Sequence, residues 1–420
     1  MRRGAGWLLG AWLLNSGIAE AGELNLGGET AVGYASNVFN RPSDDRRGGI
    51  DSARMNLRLH GAVKDELDRG EYRLSYEVDY FAKTAKDAGA DWNHQAGFAA
   101  TYNVSPRTSL TLGNQFLFLE KISLALEEPD AGAPPSLAED PDIDAQNRLT
   151  IRNRLDLSAT HFFSARWSGY TGANYTIFRD TDADDNDQDS NSVSGHFGTN
   201  YSLTKTMRIG LGGNATYGSF SGTTPGSTGT GDPGCSGQAS PRSRTLSYSG
   251  FASIGYQFDP STSLRVQAGP AQIESDFYLC PRAAPSFLKL ANNRVTWFAQ
   301  GEFAKRWSRV VTGLRYRRQQ AISNGSDTRV TDVASGTIDW RLTRLWKLGV
   351  RGSWIRDSSL SGVETTAWRA STSLKRQFLR RLFGRASVSY RKETVSISRG
   401  GWDAWEVFLG IAYQLDPVHF

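Results

Sequence analysis

Residues Glu71 to Phe81 read EYRLSYEVDYF, and this stretch decides the fold. Tyr72, Leu74, Tyr76, Val78 and Tyr80 alternate with Arg73, Ser75, Glu77 and Asp79. In an extended strand successive side chains point to opposite faces, so a period of two collects the apolar groups on one side and the charged groups on the other. A soluble sandwich would set the apolar face against a core and the charged face in bulk water. An outer-membrane barrel sets the same two faces against lipid and a wet lumen.

The alternation recurs along the chain. Met55, Leu57, Leu59 and Val63 interleave with Asn56, Arg58 and His60, and Leu149, Ile151, Leu155 and Leu157 with Arg152, Arg154 and Asp156. Ile338, Trp340 and Leu342 flank Asp339 and Arg341, and Leu348, Val350 and Trp354 flank Arg351. Strands are expected at about 24–36, 51–63, 71–82, 92–104, 108–118, 147–159, 166–178, 192–203 and 207–219, then 245–258, 263–275, 292–304, 308–320, 330–342, 346–356, 364–376, 384–395 and 403–415. Runs of ten to thirteen residues suit tilted strands that cross a bilayer. Sixteen is the alternative count if the first strand and the pair around Arg376 to Phe383 are discounted.

The connections separate the two architectures. Ser105-Pro106-Arg107, Thr204-Lys205-Thr206, Asp259-Pro260-Ser261-Thr262 and Thr343-Arg344-Leu345 are short, whereas about 119–146, 179–191, 220–244 and 276–291 are long. Short turns at one end and long loops at the other are a barrel trait, and a sandwich has no reason to sort its loops. Trp92, Tyr102, Trp167, Tyr175, Trp307 and Trp346 fall near strand ends, where aromatic girdles would sit. The expected fold is all-β: an up-and-down antiparallel transmembrane barrel of about 18 strands, without a plug domain.

The first residues read as a secretory signal: Arg2 and Arg3, an apolar run from Trp7 to Leu14, then Ala19-Glu20-Ala21 as a cleavage pattern. Residues 1–21 are therefore expected to be removed and 22–420 to form the barrel domain. A mean hydropathy of -0.45 would suit a soluble protein, but only alternate strand residues need be apolar in a barrel. The formal charge of +5 and pI near 9.1 do not point to nucleic acid, because the basic residues are spread over many strands.

Chemistry is sought first on the charged phase of the strands. Arg58, Arg73, Arg152, Arg154, Arg208, Arg265, Arg315, Arg317, Arg341, Arg351, Arg369 and Arg391 should point inward, facing Glu77, Asp79, Asp156, Glu302, Asp339 and Glu406. A charge turned to lipid at the midplane costs a few kcal/mol, which drives this placement. Arg outnumbers acid about two to one in that set, so the lumen would favour anions. Cross-lumen ion pairs that stiffen the wall are the alternative reading.

The loops add three expectations. Residues 119–146 carry Glu120, Glu127, Glu128, Asp130, Glu139, Asp140, Asp142 and Asp144, either a folded-in constriction or an acidic surface loop with Pro129, Pro134, Pro135 and Pro141. The run from Asp180 through Asp182 and Asp184 to Asp189 could bind calcium loosely, but it lacks the Gly and closing Glu of an EF-hand. Cys235 and Cys280 would form a disulfide between outer loops, contributing on the order of 3–4 kcal/mol, or remain as two thiols. His60, His94, His161, His196 and His419 show no ligand spacing and no serine stands in a nucleophile elbow, so an enzyme is not expected and no dedicated cofactor is implied.

With these features in hand the mature chain resembles large bacterial outer-membrane barrels, and is similar to the beta-barrel porin 2 group and to barrels proposed to pass exopolysaccharide. Gly410, Tyr413 and Leu415 resemble the terminal-strand signal read by barrel-assembly machinery, with Phe420 a terminal aromatic beyond the strand. The third outer loop, about 119–146, resembles the inward acidic loop of general porins. These resemblances imply residence in the outer membrane among lipid and lipopolysaccharide, and an outer-membrane channel for polar, anionic solutes. Export of an anionic polysaccharide, saccharide uptake, and a non-conducting structural barrel all remain open at this point.

Overall fold

The computed structural model of the chain describes residues 22–36, 52–84, 90–119, 150–180, 189–221, 243–279, 288–322, 328–359, 364–395 and 401–419. Eighteen long strands follow the expected order: β1 (Glu23–Ala35), β2 (Ser52–Leu67), β3 (Gly70–Lys83), β4 (Ala90–Ser105), β5 (Thr108–Leu119), β6 (Thr150–Phe162), β7 (Trp167–Asp180), β8 (Asp189–Ser202) and β9 (Met207–Ser221). Then come β10 (Ser243–Asp259), β11 (Thr262–Leu279), β12 (Leu288–Arg306), β13 (Val310–Ile322), β14 (Thr328–Arg341), β15 (Trp346–Ser359), β16 (Glu364–Gln377), β17 (Leu382–Val395) and β18 (Gly401–Gln414), with a two-residue β19 (Val418–His419). Each strand pairs antiparallel with its sequence neighbours, and β1 pairs with both β2 and β18. The sheet is closed, so no strand edge is left for lipid to meet.

Closure settles the count at 18 rather than 16, because both doubtful regions are paired. β1 is in register with β18 from Gly27↔Gln414 to Ala35↔Glu406. The region around Arg376 is a tight turn in which the Phe378 and Leu379 N–H groups donate to the Leu382 carbonyl. One detail differs from expectation. β18 ends at Gln414, close to the expected Leu415, but pairing resumes beyond it: the Leu415 N–H donates to Leu26, then Val418 and His419 pair with Leu24 and Glu23. Pro417 has no N–H to give and breaks the ladder between. Asp416, in that break, ion-pairs with Arg381 of the neighbouring turn.

Register partners share a face, so one strand orients the rest. Leu57, Leu59, Leu155, Leu157, Val193, Phe197, Leu211, Val295, Leu314, Leu409 and Ile411 are exposed and all lie on the outward phase. A closed barrel that exposes its apolar phase is built for lipid. Replacing Leu409, 62% exposed at mid-strand, by Arg is expected to cost about 2–4 kcal/mol in urea titrations of barrel folded into lipid vesicles. A polar outward position near a strand end should cost much less.

Some outward charges are present, all toward strand ends. On the long-loop side Arg318 pairs with Asp332 at 3.0 Å and lies 4.4 Å from the Trp297 ring centroid, while Arg356 pairs with Glu364 at 2.7 Å. On the short-turn side Arg376 sits 5.0 Å from Trp346 and 5.1 Å from Phe378. Charge near the interface costs little, and pairing or a ring face offsets that further. The expectation that guanidinium groups must point inward therefore holds for the middle of the wall only.

The turn after β10 is the most heavily bonded at the short-turn end. The Ser261 N–H and Oγ donate to Asp259 Oδ1 at 2.7 and 2.5 Å, and Thr262 Oγ1 and Lys305 Nζ donate to Oδ2 at 2.8 and 3.1 Å. The Ser261 and Thr262 hydroxyl bonds, the Ser261 backbone N–H and Lys305 together hold the Asp259 carboxyl far below the ordinary carboxylate range. A depressed folded-state pKa contributes stability above the unfolded value, about 3.9, and loses it as pH falls toward the folded value. The difference in melting temperature between the native chain and Asp259→Ala should stay constant from pH 8 to 5 and shrink below pH 4.

Candidate functional site

The interior is not uniform around its circumference. On β7 to β10 the inward side chains between the strand ends are amides, hydroxyls, glycines and rings, and among those described His196 and Arg208 are the only basic residues. Ser194 bonds Thr216 at 2.8 Å and Ser249 bonds Asn214. Tyr170 lies over its register partner Gly198, and Phe251 over Gly212; a Cβ at either glycine would stand 2.4 or 2.6 Å from the ring. Each ring is pressed flat on the wall because its partner has no side chain.

Charge concentrates on the strands flanking the β1–β18 seam. Arg58 donates to Asp79 at 2.7 Å and stands 3.3 Å from Glu77; Arg385 approaches Glu29 at 3.6 Å, and Arg391 pairs with Glu393 at 3.0 Å. Glu406 is wholly buried and ion-pairs with Arg54. Outside this sector Arg154 pairs with Asp156 at 2.8 Å, and Arg315 stands 3.6 Å from Glu302, with Arg265 across the strand from that same glutamate.

A single patch on β15 to β17 is unlike the rest. Ser371 on β16 is the partner of Ser389 on β17, and Ser373 of Ser387, so four hydroxyls form a square on the inner wall. Arg351 of β15 is the register partner of Ser371 and flanks the square. Two residues toward the short turns lie the partners Lys375 and Arg385; on the other side lie Arg369 and Arg391, also partners. Short serine side chains among long cationic ones leave a small cleft, which Arg58, Arg351, Arg385, Glu29 and all four serines line.

Depth along the barrel is graded as well. On β3 the inward side chains run from buried Phe81 and Asp79 to exposed Ser75, Arg73 and Glu71. Inward Arg54, Asn93, Leu117, Thr245, Ile273, Thr331, Ile355 and Ala404 are buried too, all in the long-loop half. The inward side chains are thus more buried toward the long loops than toward the short turns, and the serine square sits between the two.

By register, every arginine and carboxylate expected on the inward phase is on it, but they do not form one site. Arg351, Arg369 and Arg391 border the square, with Arg58 and Asp339 at the cleft's margin. Arg315 and Arg317 lie apart from them, on β13 opposite Glu302 and Gln300. Arg73, Arg208 and Arg341 are near the short-turn rim, where Arg341 faces Lys347; Arg152 and Arg154 are on β6. The sequence reading omitted Arg54, Lys375, Arg385 and the four serines, although the alternation that placed Arg391 also places Arg385. Register also brings in Glu29, Asp357 and Glu393, which narrows the excess of arginine over acid.

Gly410 lies inward at the seam, with Ala31 its partner, and Tyr413 and Leu415 face outward, exposed. The side chain of Asp180, with Asp182, Asp184, Cys235, Cys280, Phe420, the 119–146 loop and residues 1–21, lies outside the described residues. Among the described residues no group of three or more His, Cys, Asp or Glu could hold a metal.

No protein-family model matches the sequence, and neither does any curated protein. Among solved structures the chain is similar to a BenF-like porin from Pseudomonas fluorescens Pf-5 at 11% identity and a TM-score of 0.46, covering 95% of this chain and 100% of that one. It is also similar to OccAB4 of Acinetobacter baumannii at 11% identity and a TM-score of 0.46, covering 94% and 98%. The ferric-catecholate import receptor Fiu of E. coli K12, in its open form, matches at 8% identity and a TM-score of 0.46, covering 93% and 81%.

Proposed function

We propose that the chain is a channel of the bacterial outer membrane that passes small polar anions. The observation that carries this reading is the basic patch around Ser371, Ser373, Ser387 and Ser389 on the inner wall, between the more exposed and the more buried inward side chains. A cation cluster in a wall of low dielectric raises the local concentration of counter-ions and repels co-ions. The neutral wall of β7 to β10 offers hydrogen bonds without competing charge. Signal cleavage after Ala21 and assembly through the terminal strand belong to the same reading.

Burial in the long-loop half favours small solutes over a polymer, so polysaccharide export is the weaker form of the proposal. Refolded full-length protein in planar bilayers tests it. Chloride should carry most of the current, read as the reversal potential across a potassium chloride gradient. Cation selectivity would sink the anion reading, and absence of any current would favour a structural barrel.

A further inference from the structure

We infer that the serine square holds a phosphoryl group, a tetrahedral oxyanion with two negative charges, in preference to a monocarboxylate. The inference rests on the channel reading for its biological setting, but the binding site itself can be measured separately.

Three features carry it. The first is the number and layout of donors. Ser371 and Ser389 are partners, as are Ser373 and Ser387, so the hydroxyls stand about 5 Å apart across the strands and about 7 Å apart along them. Each hydroxyl turns its proton freely toward an acceptor. Four donors on a floor suit several oxygens directed downward and sideways, not the two coplanar oxygens of a carboxylate.

The second feature is the frame. A carboxylate is satisfied by one guanidinium in a two-bond fork. Here Arg351 of β15, Arg385 of β17 and Arg58 of β2 line the cleft against one carboxylate, Glu29, whereas Lys375 ends over the Phe383 ring and Arg391 pairs with Glu393, both turned from the serines. Arg54 and Glu406 neutralise one another nearby. An arrangement of like charges around a gap is eased most by a ligand with more than one negative charge.

The third is the space. The wall is recessed where the serines stand, in a cleft that Arg58, Arg351 and Arg385 also line, so a bound group is surrounded rather than laid on a flat surface.

The test uses refolded full-length protein carrying a chloride current in planar bilayers at pH 8. Inorganic phosphate, glycerol phosphate and acetate are added in turn, and the concentration that halves the current is read. Phosphate should act at a concentration about tenfold or more below acetate. Lowering the pH to 5, where phosphate carries one charge, should shrink that advantage several-fold. The Ser371→Ala/Ser389→Ala variant keeps all the cations and should lose most of the phosphate preference. Equal action of glycerol phosphate and phosphate identifies an ester as ligand; much weaker action identifies the free ion.

Equal half-block by acetate and phosphate in a conducting, anion-selective channel overturns this inference and leaves the channel reading standing. If the protein carries no current, the channel reading fails instead. Equilibrium dialysis against inorganic phosphate then decides the site: saturable binding lost in the double variant upholds it, and no saturable binding overturns it.

Discussion

Replacing Arg351 and Arg385 together by glutamine is expected to remove most of the anion preference of the channel. Both side chains line the central cleft, one on β15 and one on β17, and both belong to the frame of cations around the serine floor. Charges lining a narrow, low-dielectric passage change local ion concentrations by tenfold or more. The ratio of chloride to potassium permeability should therefore fall by about tenfold, toward unity, in reversal-potential measurements. Glu29 magnifies the effect, because loss of Arg385 leaves its carboxylate facing the passage without the guanidinium 3.6 Å away. Arg73, exposed near the short-turn rim, is the control: Arg73→Gln should shift the ratio only slightly and mainly at low salt. An unchanged ratio in the double variant would place selectivity elsewhere in the bore.

Arg54→Ala should be the most destabilising single substitution inside the barrel. Its guanidinium pairs with Glu406, which has no exposed surface, and the two residues are 352 positions apart in the chain. Arg54 stands on β2 and Glu406 on β18, so the pair crosses over β1 and ties the two strands on either side of it. Removing one partner of a buried pair leaves a charge without its counter-charge, at a cost of about 3–5 kcal/mol. The urea midpoint should drop accordingly. Glu406→Gln with Arg54→Met, which removes both charges, should recover most of that loss. If the single variant unfolds like the native chain, the pair contributes nothing to the seam.

Much of this architecture was legible because lipid imposes a strict rule. Leu409 and Leu57 must face out and Arg58 and Glu406 must not, so the period of two survives in the sequence. Arg318 and Arg356 lie on the outward phase that alternation gives them, and they do so without penalty because they sit toward strand ends, where water and headgroups are near. The serine square was harder to see. Ser371 and Ser389 are distant in sequence and come together only once the Phe378–Arg381 turn fixes the register of β16 against β17. Serine is also silent by itself: nothing distinguishes these four from the many serines of β8 and β10 until the neighbouring cations are in place. The seam extension was missed because Pro417 reads as an end, whereas the chain only skips and resumes pairing at Val418.

That resumed pairing bears on how the barrel can come into being. Every hairpin from β1 to β18 can zip locally, within a few dozen residues, and the cost of bringing such short segments together is small. The join between β1 and β18 is different in kind, since it draws together the two ends of the chain and gains nothing until the last residues are present. Contacts of such long sequence separation form late and slowly. The ladder from Ala35 to Glu23, extended by β19, thus acts as a fastener that can engage only once β18 and β19 are available to β1. Until then the growing sheet has two open edges, and any truncation before Val407 leaves them with no partner.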